Sequence, residues 1–195
     1  TTESYHYNCT IEGKSTATRG TLTVEDGFGY FYNCDIIPDT TGSLAIEIAA
    51  NTGQGKALFE KCRIGSPDRS FTGAAEIKES TFRYCYFNTA VSDYDSTYFE
   101  SCYGRMTITP KGANTDSLFI TNSVFAGGAS GVTGNDFMKT WSYSSPSNVG
   151  GIIIANDNIF TGLTTAFQST AGSAATFVDA NWDLDYNDFY NNETN

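Results

Sequence analysis

The sequence predicts an all-β fold in which one chain coils as a three-sided parallel β-helix of about eight turns. Three observations predict it. A short motif returns down the chain with a cysteine, serine or asparagine in one slot. Apolar, β-branched and aromatic residues alternate with period two around that slot. Clusters of Gly, Asn, Asp and Ser divide the runs every few residues. A repeat of this length is the signature of a solenoid.

With the slot numbered zero, a large apolar residue tends to fall three before it and another two after it. The first copy is YHYNCTI (5–11), with Cys9 in the slot, and YFYNCDI (30–36) follows with Phe31, Cys34 and Ile36. LFEKCRI (58–64) supplies Phe59, Cys62 and Ile64, and TFRYCYF (81–87) supplies Phe82, Cys85 and Phe87. YFESCYG (98–104) places Cys102, and Ile120, Ser123 and Phe125 continue the pattern. IIIANDNIF (152–160) fits more loosely with Asn158 and Phe160, and LDYNDFY (184–190) fits with Leu184, Asn187 and Phe189. The slot spacings are 25, 28, 23, 17, 21, 35 and 29 residues, averaging about 25, which suits one backbone turn per repeat. TLTVE (21–25), LAIEI (44–48), AEIKE (75–79) and MTITP (106–110) supply a second strand between successive slots. Each turn reads strand, loop, strand, sharp corner, short strand. Neighbouring strands lie ~4.8 Å apart, so equal positions stack into columns.

Asn33 is expected at the tight corner, because Asn tolerates a left-handed backbone better than most residues. Cys34 follows as a compact buried hydrophobe, and Ser123, Asn158 and Asn187 carry the column on in polar form. A zinc site is a poor alternative. Zinc wants closely spaced Cys and His ligands, whereas these cysteines are at least 17 residues apart and the chain has one histidine. All five thiols are expected to be reduced, buried and slow to react. Parallel side chains would keep the Cβ atoms beyond the ~3.8 Å that disulfides use. Cys62→Ser is expected to cost about 1–2 kcal/mol, as a hydroxyl placed in an apolar slot.

Composition sets the outer limits. The 195 residues are 39% hydrophobic and only 17% charged, which is not a disordered composition, and they suffice for one domain with a real core. The domain is read as spanning 1–195, with a long insertion at 127–151. No stretch is long and apolar enough to cross a membrane as a helix. The opening TTESYHYNC has neither an initiator Met nor a basic-then-apolar leader, which reads as a mature or excised piece. A net charge of -11, with 11 basic residues spread singly, argues against nucleic acid and against anionic membrane surfaces. A neutral glycan, a cation-bridged acidic glycan or a protein neighbour fits that charge.

YFYNCDI and ALFEKCRI resemble the coil repeats of the pectin lyase-like superfamily of right-handed parallel β-helices, and LDYNDFYNN (184–192) resembles the late coils of bacterial and phage β-helix proteins. The resemblance spans nearly the whole chain as a fold-level pattern. It implies a right-handed parallel β-helix and a polysaccharide as the usual partner, and fold alone does not settle function. The catalytic strings of that superfamily are mostly absent. ANTDSLFI (113–120) gives Asn114, Thr115 and Asp116, which resembles the first polygalacturonase string. The paired aspartates expected in the next turn are replaced by SVFAGG, and His6 lies upstream in another motif.

Stacking suggests a second catalytic candidate. Alternation turns Glu47 of LAIEI and Glu76 of AEIKE outward, and AVSDYDS (90–96) adds Asp93 and Asp95. Carboxylates about 5–9 Å apart are what glycoside hydrolysis requires. An exposed face relieved by Lys78 and solvent is the plainer reading. In the tail, Asp183, Asp185 and Asn187 have the spacing of a calcium loop, but Asp188 stands where its turn glycine belongs and Glu193 falls one residue short. No cofactor is expected, with calcium as the one alternative.

Phe31, Phe59, Phe82 and Phe99 are expected in the core. The outward aromatics are Tyr5 or Tyr7, Tyr30 or Tyr32, Tyr84, Tyr94, Tyr103, Trp141 and Tyr143, flat platforms that suit sugar rings or a protein neighbour. The insertion at 127–151 carries Trp141 and Tyr143, and long loops on a rigid scaffold are where function concentrates. With Tyr94, these two are the candidate ligand-binding residues. Two function classes follow. One is an extracellular or virion-surface module that is structural or binds polysaccharide. The other is a polysaccharide lyase or glycoside hydrolase. The last repeat has no obvious cap behind it, so continuation into a longer chain, or stacking as a homo-oligomer, is expected.

Overall fold

Eight left-handed residues mark out the architecture, one immediately before each slot: Asn8, Asn33, Lys61, Tyr84, Ser101, Asn122, Asp157 and Tyr186, with φ between 51° and 60°. They were found in a computed structural model that describes residues 2–13, 22–24, 26–37, 46–48, 55–65, 74–108, 117–127, 136–140, 152–169 and 182–192. Among these residues there is no helix, and the strand pairs run parallel.

The strands in chain order begin with β1 (Glu3–Tyr7), β2 (Thr10–Glu12), β3 (Leu22–Val24), β4 (Phe28–Tyr32), β5 (Asp35–Ile37), β6 (Ile46–Ile48) and β7 (Lys56–Glu60). Next come β8 (Arg63–Gly65), β9 (Ala74–Lys78), β10 (Ser80–Arg83), β11 (Tyr86–Asp95), β12 (Thr97–Glu100), β13 (Tyr103–Ile108) and β14 (Ser117–Thr121). The last are β15 (Val124–Ala126), β16 (Asp136–Thr140), β17 (Ile152–Asn156), β18 (Ile159–Thr161), β19 (Thr165–Ser169), β20 (Trp182–Asp183) and β21 (Asp188–Tyr190). The first sheet has the order β1-β4-β7-β10-β12-β14-β17-β20, and the second runs β2-β5-β8-β11-β13-β15-β18-β21. The second sheet also holds β3, β6, β9, β16 and β19. These join it because β11 and β13 run on past the first rank without a break: β11 pairs β8 early and β9 late, and β13 pairs β15 early and β16 late. The repeat from Cys85 to Cys102 is the shortest, 17 residues, so the two ranks fuse there into one strand. This pairing fits a β-helix-like solenoid.

The corner explains the slot. A left-handed residue bends the chain sharply between the two sheets, and ladder bonds continue on both sides of it. Asn33 N–H donates to Glu60 O at 3.0 Å, and Arg63 N–H donates to Cys34 O at 2.9 Å. The slot residue's own N–H still needs an acceptor, and the slot side chain of the next repeat supplies it in the later part of the chain. Cys102 N–H donates to Ser123 Oγ (3.0 Å), Ser123 N–H to Asn158 Oδ1 (2.8 Å), and Asn158 N–H to Asn187 Oδ1 (3.0 Å). Those side chains also donate to main-chain carbonyls: Ser123 Oγ to Thr121 O, and Asn158 Nδ2 to Ile120 O. The thiols do the same, Cys62 to Phe31 O (3.3 Å), Cys85 to Arg83 O (3.3 Å) and Cys102 to Phe82 O (3.4 Å). The hydrogen bonding expected of the polar slots holds, and it extends to the cysteines, which were expected to act only as compact hydrophobes. A compact side chain that both donates and accepts fits the slot.

Between the sheets the core stacks in two columns. Three before the slot, the rings of His6, Phe31, Phe59, Phe82 and Phe99 lie parallel, with successive centroids 4.7, 4.7, 4.7 and 5.1 Å apart. Ile120 and Ala155 then take the same register. Two after the slot the order reverses: Ile11, Ile36 and Ile64 come first, then Phe87, Gly104, Phe125, Phe160 and Phe189. The two columns carry their bulk in opposite order along much of the coil. Phe pairs with Ile early, Phe82 and Phe87 share one layer, Phe99 faces Gly104 in the next, and Ile120 or Ala155 faces Phe afterwards. The heaviest layer, Phe82 with Phe87, lies next to the lightest, Phe99 with Gly104, and the Phe87 ring meets Phe99 edge-on, so bulk is exchanged between neighbouring layers. Gly104 is fixed on two counts. Its φ is +127°, and a Cβ there would stand 2.1 Å from Phe87 O. Gly65 (φ +91°) meets Asn88 O in the same way.

All five cysteines are free thiols, and Cys34, Cys62, Cys85 and Cys102 are buried. Cys9 departs from the expectation: it is only partly buried, and its sulfur lies 3.1 Å from that of Cys34. Burial pushes the Cys34 thiol up to about 11 and Cys85 well above its usual range, which keeps both protonated at neutral pH. Thiol titration in the absence of oxidant should accordingly count five groups after denaturation and a single fast group, Cys9, before it. Because the slot carbonyls accept a hydroxyl as readily as a thiol, Cys62→Ser should cost under about 1 kcal/mol by chemical denaturation, less than an apolar slot would impose. Gly104→Ala, forced against a main-chain oxygen, should cost more than about 2 kcal/mol in the same measurement.

Candidate functional site: an aromatic groove on the first sheet

Alternation within the first sheet turns the positions four and two before each slot toward solvent. The outward columns read Tyr5, Tyr30, Leu58, Thr81, Tyr98, Phe119 and, beside them, Tyr7, Tyr32, Glu60, Arg83, Glu100, Thr121. In β12 and β14 this brings two rings together. Tyr98, 46% exposed, stacks on Phe119 with centroids 4.5 Å apart and planes 6° from parallel, while Phe99 between them in sequence is 1% exposed and points into the core. Arg83 Nε donates to Glu100 Oε2 at 2.8 Å across the strands on the neighbouring column. The groove between the columns has a volume of about 400 Å³ and is lined by Thr81, Arg83, Tyr98, Glu100, Phe119 and Thr121.

The chemistry of this groove is specific. Two rings give an apolar wall, two threonines offer hydroxyls, and the guanidinium and carboxylate neutralise each other while keeping free donor and acceptor positions. At about 400 Å³ it is the size of a small-molecule pocket.

A second aromatic area covers the same sheet at β1 and β4. Here the sequence left Tyr5 or Tyr7, and Tyr30 or Tyr32, as alternatives, and all four lie on the outward columns. Tyr30 meets Tyr5 and Tyr7 edge-on at 6.1 and 5.7 Å. Their hydroxyls are engaged: Tyr5 donates to Glu3 (2.7 Å), Tyr30 donates to Glu60 (3.2 Å), and Tyr32 accepts from Lys61 (2.9 Å). The hydrogen bond to Glu3 raises the Tyr5 pKa, and partial desolvation with Glu60 beside it raises that of Tyr30. Tyr84 and Tyr103 are exposed, as expected, at the corner and on the second sheet.

The other sequence candidates divide. Strand register sets Glu47 opposite Glu76, and Glu76 opposite Asp93, so these three positions share one column, with Asp95 opposite Lys78. The expected backbone alignment of Glu47 and Glu76 therefore holds. A register shift between Val91 and Asp93 carries Asp93 into line. The side chains of these residues and of Tyr94 lie outside the described residues, as do Asp116, Trp141 and Tyr143 altogether. Asp183 and Asp185 are exposed, but Asn187, third in the calcium-like spacing, is committed to the slot column. Its Oδ1 accepts from Asn158 and its Nδ2 donates to Ala155 O. No group of three or more His, Cys, Asp or Glu that could hold a metal occurs among the described residues.

Sequence reasoning missed Tyr98 and Phe119. The signal was present: both stand four before a slot, the same outward phase as Tyr5 and Tyr30. Comparison with protein-family models, curated proteins and solved structures found no match to this chain.

Proposed function

We propose that this chain is a right-handed parallel β-helix of about eight turns, a single domain of the pectin lyase-like kind. It serves as a non-catalytic module, outside the cell or on a virion surface, that holds a polysaccharide chain along the outer side of its first sheet. The observation that carries this reading is the Tyr98–Phe119 stack beside the charge-balanced Arg83–Glu100 pair. Flat aromatic surface with neutralised polar groups favours sugar rings, and the overall charge of -11 favours a neutral glycan over an anionic one. The tyrosines of β1 and β4 lie on the same columns, so one extended ligand could touch both areas. Neighbouring protein chains, in a stacked or oligomeric assembly, are the other partner class.

The enzymatic alternative draws on the column of Glu47, Glu76 and Asp93. Binding and chemistry separate in one set of measurements. Neutral and acidic oligosaccharides are titrated by calorimetry, and the same mixtures are assayed for new reducing ends and unsaturated uronates. Tyr98→Ala with Phe119→Ala should weaken binding at least tenfold, about 1.4 kcal/mol, in a variant whose circular dichroism shows the fold retained. Unaltered affinity in that variant would reject the groove. Products that vanish in Glu47→Gln with Glu76→Gln would replace the binding reading with the catalytic one.

A further inference from the structure

We propose that Cys9 and Cys34 form an oxidisable pair that closes to a disulfide between the first two corners, while the three deeper thiols of the column stay reduced. The geometry differs along the column. Cys62, Cys85 and Cys102 are nearly inaccessible, each donating its thiol to main-chain carbonyls, as Cys85 does to Phe59 O and Arg83 O. Thiols also meet one another deeper in the column, Cys85 with Cys62 and Cys102, but only Cys9 is partly exposed, and its thiol is directed at the sulfur of Cys34, 3.1 Å away. A disulfide needs an S–S separation of about 2.05 Å, so closure requires a movement of about 1 Å. The Cα separation already falls within disulfide range. Asp35 N–H donates to Cys9 O at 2.9 Å, and Thr10 pairs with Asp35, so the two Cα atoms stand about one strand spacing apart, ~4.8 Å, inside the 4.4–6.8 Å range of natural disulfides. The two sulfurs stand closer together than the strand spacing itself.

Access sets the order of events. An external hydroperoxide reaches Cys9 first. The Cys9 thiolate attacks one peroxide oxygen, the O–O bond breaks, and Cys9 becomes a sulfenic acid while the other oxygen leaves as alcohol or water. The Cys34 sulfur then attacks the Cys9 sulfur. The S–S bond forms, the S–O bond breaks, and the departing hydroxide takes the Cys34 proton as water. Two thiols and one hydroperoxide give one disulfide, the peroxide being reduced by two electrons. Burial that holds the Cys34 thiol protonated suits it to be the second partner rather than the first. The product joins residues 25 apart in sequence and ties β1 and β2 covalently to β4 and β5.

The test uses the full chain and hydrogen peroxide. After treatment and denaturation without reductant, the thiol count should fall from five to three and the intact mass by about two hydrogens. Trypsin, cutting after Lys14 and Arg19, should release one peptide joining Cys9 to Cys34. Cys9→Ser and Cys34→Ser should each abolish that linked peptide. Three outcomes overturn the proposal: five thiols remaining under peroxide that oxidises a free dithiol, a linkage through Cys62, Cys85 or Cys102, or Cys9 ending as sulfinic acid with four thiols left.

Discussion

Everything in this fold hangs on the left-handed corner and on the N–H that follows it. A residue at φ near +54° costs about 1–2 kcal/mol when it carries a side chain, and here the cost recurs before every slot, at Lys61 and Tyr84 as well as at Asn33. It persists because the corner lets both flanking strands keep their ladder bonds with the repeats on either side. The slot side chain completes the arrangement from within. Thiol, hydroxyl and carboxamide all serve because each is short, and each pairs with main-chain groups at that depth.

This explains which parts of the molecule could be read from the sequence. The eight slots were legible because a buried hydrogen-bonding position restricts residue type, and because Phe31, Phe59, Phe82 and Phe99 repeat at fixed distance from it. Asn8, Asn33 and Asn122 announce a corner by their own tolerance of positive φ. Lys61 and Tyr84 announce nothing, since neither prefers that conformation, and only their register with Asn33 places them there. The fusion of two strands into β11 was not legible either. AVSDYDS carries no mark of its own that it continues the strand begun at Tyr86. The groove was half legible. Outward phase follows from the slot, but the meeting of Tyr98 with Phe119 depends on a strand pairing that skips 20 residues of chain.

The outer surface obeys looser rules than the core. Columns on the first sheet carry rings at β1, β4, β12 and β14, with aliphatic, hydroxyl and charged side chains between them. Exposed ion pairs such as Arg83–Glu100, and Arg63–Asp35 at 2.7 Å, contribute little to stability at this degree of exposure. Their effect is on the character of the surface. Where rings stand beside a neutralised pair, the sheet offers an uncharged, amphipathic strip on a molecule that is otherwise strongly acidic.

The exchange of bulk between the two core columns bears on how such a chain can lengthen. Layers built on Cys34 and Cys62 carry the same pair, Phe and Ile, and each is packed against a neighbour of its own kind. Copying either one in place would present familiar shapes to both sides. The layer of Phe99 and Gly104 is different: it holds one ring, its glycine sits against the main chain of Phe87, and the Phe87 ring of the layer before meets Phe99 edge-on. A second copy of that layer would meet a layer with no Phe87 ring to pack edge-on against its Phe99. Growth by duplication is thus open near the beginning of the array and closed at its middle, although every repeat shares one corner and one slot.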